Sequence, residues 1–309
     1  MGRTAPSRPT AADTITQAII ARLEAGTRPW VRPWTGISVS RPLRACGTPY
    51  RGINTLWLWM AAEAAGYSSP FWLTYRQAQL QGGQVRKGER GTVAIFYKTY
   101  CKAVEEEETG DAHADTRRVL KSFTVFNACQ IDGLPDRFFS AAKVLPEPTF
   151  RNRELDLFFS SIPARRRHFG DEAYYRPIPD DITMPAPAAF RDLDHYRATL
   201  AHELAHWTGH PSRLARDLTG RFGSDAYAME ELIAEMAAAM LGAELGLPVA
   251  HLDHHASYVA SWLKVLKADS RAVLTAAAKA EEACSLLLGF ARGGSDDVDA
   301  KSEPEPLAA

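Results

Sequence analysis

The chain has 309 residues, 46% hydrophobic and 24% charged, which suits a soluble globular protein with room for two ordinary domains. No apolar run reaches membrane-spanning length and the polar start MGRTAPSRPTAAD has no signal-peptide core, so a membrane partner and export are excluded as expectations. The net charge of −1 conceals a split: residues 1–100 carry 13 Lys and Arg against 4 Asp and Glu, net +9, leaving −10 for the rest.

Residues 1–12 read as a disordered lead. Asp13 is placed to cap a helix over TITQAIIARLEAG, with Ile15, Ile19 and Leu23 on one face and Gly26 as the stop. "RPWVRPW" follows as an extended or turning segment. Helices are expected over NTLWLWMAAEAAG and TYRQAQLQGG, the latter ended by its double glycine. "GTVAIFYKTYCKAV" alternates and is rich in β-branched and aromatic residues, so it predicts a strand, with "RRVLKSFTVFNACQI" as its antiparallel partner. The acidic connector EEEETGDAHAD reads as a solvated hairpin loop. "AAKVLPEPTFRNREL" is Pro-rich and polar, as an inter-domain linker would be. "AYYRPIPDDITMP" reads as a short edge strand, because prolines suit a sheet edge. Helices then follow over DLDHYRATLAHELAHWTG, SDAYAMEELIAEMAAAMLGAELG (Ser224 as cap, Gly246 as stop), SYVASWLKVLKAD and SRAVLTAAAKAEEACSLLLGF. The tail from residue 293 reads as disordered. The expected division is 1–12, 13–145, a linker at 146–155, 156–292 and 293–309. Cys46, Cys101, Cys129 and Cys284 are scattered with no C-x-x-C pair, so a reducing cytoplasmic setting is expected.

"HELAH" within the first of those four helices is the chemical signal. His202 and His206, four apart, share a helix face and can bind one ion, while Glu203 reaches the ion's water without being a ligand. In this H-E-x-x-H arrangement zinc polarises water and the glutamate takes its proton. A third ligand is required. The metzincin pattern needs histidine at position 212, which is serine. His210 follows an expected helix stop at Gly209. "EELIAE" offers Glu231 and Glu235 on one helix face, with Glu230 about a quarter-turn away. One carboxylate can complete the site and the other can accept the second ring N–H of a ligand histidine. The order found in gluzincins makes Glu231 the ligand and Glu235 its support, with the reverse assignment open. Ala234, Ala237, Ala238 and Ala239 would let this helix approach the HELAH helix closely. Tyr258 and His255 are candidates to stabilise an oxyanion, as are His254, Tyr227 and His195. Zinc is the expected metal, and the ligand set also admits manganese or cobalt.

Five of the seven tryptophans precede residue 73, inside the basic third. Single-strand binding needs a cationic groove and flat side chains for stacking. Trp30, Trp34, Tyr50, Trp72 and Tyr75 could stack bases. Arg28, Arg32, Arg51, Arg76, Arg86, Lys87, Arg90 and Lys98 could meet phosphates, with Asn54 counted beside them. For each tryptophan the plain alternative is core packing, and at least one of Trp57 and Trp59 is expected there.

Taken together, "PWVRPW", "PYRGINTLWL", "GYSSPFWLTYRQA", "GGQVRKGERGT" and "FNACQIDGLP", then "DDITMP", "HELAHWTGH", "RFGSDAYAMEELIAE" and "SYVASWLKVLKAD", resemble the ArdC antirestriction family. That family includes the N-terminal part of the plasmid primase TraC. The resemblance covers nearly the whole ordered chain. It implies an α+β fold: an N-terminal α+β domain with a small antiparallel sheet that binds single-stranded DNA, then a mainly helical zincin-like, gluzincin-type metallopeptidase domain with a short edge-strand sheet. It implies a role in protecting incoming mobile DNA from restriction. By position His202, Glu203 and His206 match the metal motif and Glu231 matches the third-ligand helix. The expected function is therefore a single-stranded-DNA-binding metallopeptidase acting on an unidentified protein or peptide, with substrate held as an added strand near Asp181–Met184. The alternative is a non-catalytic DNA-coating protein whose metal site is structural.

Overall fold

The first helix, α1 (Ala11–Glu24), is opened by Thr10, whose hydroxyl accepts the Asp13 N–H while the Asp13 carboxylate accepts the Thr10 N–H. Asp13, expected as the cap, is thus the third helical residue of a capping box, because the threonine three places earlier supplies the cap itself. Ile15, Ile19 and Leu23 line its buried face. The computed structural model describes residues 10–27, 29–30, 40–105, 112–139, 148–221, 223–247 and 256–293. Residues 1–9 of the expected lead, most of the acidic loop and the tail beyond residue 293 lie outside the described residues, while residues 10–12, expected in the lead, form the cap and first turn of α1.

α2 (Ile53–Ala65) starts at Gly52 and stops at Gly66, whose φ of 68° is left-handed and favours glycine. Next come β1 (Trp72–Leu73), α3 (Tyr75–Leu80), β2 (Gln84–Val85), β3 (Thr92–Glu105), β4 (Ala112–Asn127) and β5 (Ile131–Asp132). β3 and β4 pair antiparallel from Thr92↔Val125 to Glu105↔Ala112, as their alternating pattern predicts. β1 pairs with the other edge of β4, giving the order β1-β4-β3, while β2 and β5 form a separate pair.

The segment expected as a linker at 146–155 is largely helical: α4 spans Pro148–Ser161. Proline is tolerated in a first helical turn, and the helix buries Leu155, Phe158 and Phe159. A three-stranded sheet follows, made of β6 (Arg165–His168), β7 (Tyr174–Arg176) and β8 (Asp181–Met184) in the order β6-β8-β7. Asp181–Met184, expected as an edge, is the central strand with all four residues buried. β6 covers its far side, and a run of Arg-Arg-Arg-His carries no apolar alternation that would have marked it as a strand. β7 is the edge.

α5 (Leu193–Thr208), α6 (Asp225–Leu245), α7 (Ala256–Ala268) and α8 (Ala272–Ala291) form the helical layer against this sheet. Ser224 caps α6, and Gly246 at φ 67° ends it. Ala234, Ala237, Ala238 and Ala239 of α6 are buried, so its backbone comes close to α5. The chain is thus a mixed α+β fold with small antiparallel pairings and a helical second part. Its largest buried cluster joins Ile15, Ile19 and Trp30 to Leu204, Leu232 and Trp262. Polar contacts tie the same two parts together. Arg41, 6% exposed, pairs with Glu281 of α8, which also accepts from Arg51 Nε at 3.2 Å and from the Gly52 N–H at 2.9 Å. Gly52 reaches that oxygen with a φ of 55°, where a side chain would be strained. No helix among the described residues is long and apolar enough to cross a membrane.

Candidate metal centre

α5 presents His202 and His206 on one face, one turn apart, and α6 crosses it so that Glu231 meets both. Nε2 of His202 lies 3.1 Å from Nε2 of His206. The Glu231 oxygens lie 3.6 Å from the first and 3.5 Å from the second. Two donors held at ~2.1 Å from one tetrahedral ion stand roughly 3.4 Å apart, and the two ring nitrogens and the two oxygens of the Glu231 carboxylate are spaced close to that value. The residues present therefore fit a divalent ion. His202 Nδ1 is buried with no hydrogen-bond partner and faces Glu235 Oε1 at 3.9 Å. Glu235 thus sits where it can accept the second ring N–H of His202.

His206 is backed differently. Its Nδ1 lies 3.1 Å from Glu230, which is held in turn by Arg216 through Nε at 2.9 Å and Nη2 at 2.8 Å. Arg216 also donates to the Ala205 carbonyl and the Thr208 hydroxyl at the end of α5. The sequence reading passed over Glu230, because helical periodicity sets it aside from the Glu231 face. The signal that could have found it is the arginine in the short loop after α5. Ala215 beside it has a φ of 48°, a left-handed turn that brings Arg216 back under the helix.

Electrostatics in the cluster follow from burial set against charge. Burial pulls the His202 imidazole down, but Glu231, Glu203 and Glu235 outweigh it and raise the pKa to about 9. Burial pushes Glu231 up, but His206 and His202 overcome it and hold the carboxylate near 2. Glu203 differs: burial dominates and raises its carboxyl, against the opposing pull of both histidines and a backbone hydrogen bond from Tyr175 on β7. A carboxyl beside, but outside, the three candidate ligands is placed where it could exchange a proton with water in the cavity.

A cavity of about 810 Å³ opens over these groups, with His202, Glu203 and Glu231 on its floor and Tyr174, Tyr175 and Phe190 on its wall. Tyr258 borders the same cavity and its hydroxyl lies 3.1 Å from that of Tyr227, which bonds Glu231. His254 and His255 lie outside the described residues. His195 is engaged with the helix cap, its Nδ1 2.6 Å from Asp192, and His210 pairs with Ser212 at 2.7 Å.

In the first part several expected nucleic-acid contacts are corrected. Trp30, Tyr50 and Trp72 are 1%, 4% and 1% exposed, so none offers a face for stacking a base. Tyr50 and Trp72 pack with Leu58 and Val125, and Trp30 packs against Trp262 at 5.4 Å between ring centroids. Trp59 is buried as well. Asn54 is structural, bonding both the N–H and the carbonyl of Ile95 on β3. Arg51 is directed to Glu281, and Arg86 to Glu89, Asp132 and the Cys129 carbonyl. Trp34, Arg28 and Arg32 lie outside the described residues. Tyr75 is 45% exposed and Tyr97, which the sequence reading passed over, is 54% exposed. Arg76, Lys87, Arg90 and Lys98 are also at the surface.

Two family models match successive stretches of the chain. The model of the N-terminal domain of anti-restriction factor ArdC matches residues 9–126, and that of the zincin-like metallopeptidases matches residues 153–279. Protein y4eC of Sinorhizobium fredii is 44% identical over 276 residues, 87% of this chain and 89% of that one. DNA primase TraC of Escherichia coli is 40% identical over 300 residues, which is 90% of this chain but 27% of the primase, so the chain spans about a quarter of that relative. The crystal structure of antirestriction protein ArdC from plasmid R388, metal-free, superposes with a TM-score of 0.76 at 44% identity, covering 91% of this chain and 97% of that one. The Mn(II)-bound structure of the same protein gives 0.76 at 43% identity, covering 92% and 99%.

Proposed function

The chain belongs to the ArdC family of antirestriction proteins, and we propose that it is a metal-dependent peptidase carried on a unit that binds single-stranded DNA. The observation that carries the peptidase reading is the convergence of His202, His206 and Glu231 on one point, with Glu203 beside them and a strand edge across the cavity. A divalent ion bound there would polarise water and the scissile carbonyl. Zinc, manganese and cobalt all suit two imidazoles and a carboxylate, and R388 ArdC has been seen with Mn(II). Glu203 takes a proton from water at its carboxylate and passes it to the nitrogen of the departing amine. Tyr258 and Tyr227, whose paired hydroxyls lie on the cavity lining, are the groups assigned to stabilise negative charge on the carbonyl oxygen. An extended peptide adds to the β7 edge, which brings its backbone along the cavity wall.

Single-stranded DNA is assigned to the basic first part. The surface cations Arg76, Lys87, Arg90 and Lys98, with exposed Tyr75 and Tyr97, supply phosphate contacts and stacking faces. The DNA-binding unit is assigned 13–145 and the peptidase unit 156–292, the latter extended back to Pro148 by α4, which packs on α8. In this reading DNA holds the peptidase near proteins that attack incoming DNA in the cytoplasm.

The test is cleavage of a denatured peptide library, read by mass spectrometry. Full-length protein loaded with zinc or Mn(II) should cut, and a chelator should abolish cutting. Identical fragment patterns with and without metal would refute the peptidase assignment.

A further inference from the structure

Trp30 belongs to the first part of the chain, yet its one polar atom meets the metal centre. Its indole Nε1 donates to Glu235 Oε2 at 3.2 Å, across 205 positions of sequence. The other oxygen of Glu235 is the one that faces His202 Nδ1 at 3.9 Å. Trp30 is 1% exposed and Glu235 is 4% exposed, so water does not compete for either group. The indole is held from behind: Trp262 packs edge-on at 5.4 Å and 70°, and Trp262 lies over Tyr258 at 6.2 Å and 22°.

Apolar packing alone does not call for a polar atom at this buried position. The indole adds an N–H that must find an acceptor when buried, and the acceptor is the carboxylate behind a metal-ligating histidine. We propose that Trp30 is a positioning residue of the metal centre: it fixes the rotamer of Glu235, and Glu235 fixes the ring of His202. The region matched by the ArdC N-terminal model thereby completes the support of a site lying in the region matched by the zincin model. A closure of less than 1 Å between Glu235 and His202 makes their hydrogen bond. A carboxylate already anchored at its other oxygen pays less entropy for that step.

The inference rests on the metal-centre reading, and its test separates the two. Trp30→Phe is made in the full chain, and Mn(II) affinity is measured by the electron paramagnetic resonance signal of the free ion. Loss of an outer support of a metal ligand weakens binding by about 10–100-fold, and one bond further out the low end, about tenfold, is expected. The cycle is completed with Glu235→Gln and the double variant. If Trp30 acts through Glu235, the double variant binds Mn(II) within about twofold of Glu235→Gln alone. Should Trp30→Phe fail to fold, 3-benzothienylalanine at position 30 keeps the indole shape without its N–H and repeats the measurement. Unchanged affinity in a folded variant, or losses that multiply in the double variant, overturns the inference and leaves the metal centre standing. A wild-type chain that binds no stoichiometric Mn(II) overturns the metal-centre reading itself.

Discussion

Replacing Glu281 with glutamine removes the charge at the centre of the contact between the two parts of the chain while keeping its shape. Among the described residues, Arg41, 6% exposed, then stays buried with only Glu244, 3.6 Å away, as a charged partner, and Arg51 and the Gly52 N–H lose a carboxylate acceptor. Breaking one partner of a buried ion pair costs about 3–5 kcal/mol, and the remaining Glu244 and the half-exposed Arg51 argue for the low end, about 3 kcal/mol. Unfolding entropy near ~2.1 cal/mol/K per residue gives about 0.65 kcal/mol/K for 309 residues, so Tm should fall by about 5 °C. Scanning calorimetry of the metal-free protein at neutral pH measures it. Burial raises the Glu281 carboxyl, but Arg41 and Arg51 hold it below its usual 4.5. The wild-type advantage is therefore full above that pH and shrinks as pH falls toward the folded value. A Tm loss under about 1 °C would refute the reasoning, as would two separate transitions in the wild-type chain, because the contact would not then bind the parts into one cooperative unit.

Metal binding should depend on pH through His202. Its imidazole holds a proton up to about 9 in the metal-free site and must release it to ligate. Mn(II) affinity should then rise roughly tenfold per pH unit for each proton displaced, and calorimetry in buffers of different ionisation enthalpy should record the protons released. A raised pKa stabilises the metal-free fold below the unfolded value of 6.5 and is lost as pH rises through about 9, so the metal-free Tm should decline across that window. Affinity that does not change between about pH 6 and 8 would contradict this. For DNA, replacing Lys87 and Arg90 with alanine should weaken single-strand binding and flatten the slope of log affinity against log salt by about 1.4, at roughly 0.7 per lost phosphate contact. Fluorescence anisotropy of a labelled oligonucleotide reports the slope; an unaltered slope would move the DNA path away from the β2–β3 turn.

The candidate metal cluster was legible because its spacing is local. Four residues along a helix set His202 beside His206, and the same interval brought Glu231 and Glu235 to one face. Glu230 escaped because its role depends on Arg216 arriving from a loop, and a helical wheel knows nothing of what faces it. The tryptophans escaped for the same reason in stronger form. Composition brings Trp30 and Trp72 into a basic stretch, but the partners that bury them, Trp262 and Val125, are distant in sequence. Strand β6 left no trace either, since its four residues are charged or polar and its place is set by β8. Where pattern was dense, as in β3 and β4, pairing followed from alternation alone.

The division of labour at the metal centre is most directly tested by one substitution read in two ways. Glu203→Gln keeps the side-chain shape and leaves His202, His206 and Glu231 in place. Metal content and peptide cleavage are then measured on the same preparation. The account predicts one ion per chain in both proteins and cleavage lowered by at least about a hundredfold in the variant. Cleavage at the wild-type rate with the ion bound would show that Glu203 is not the proton carrier, and the peptidase mechanism would fall.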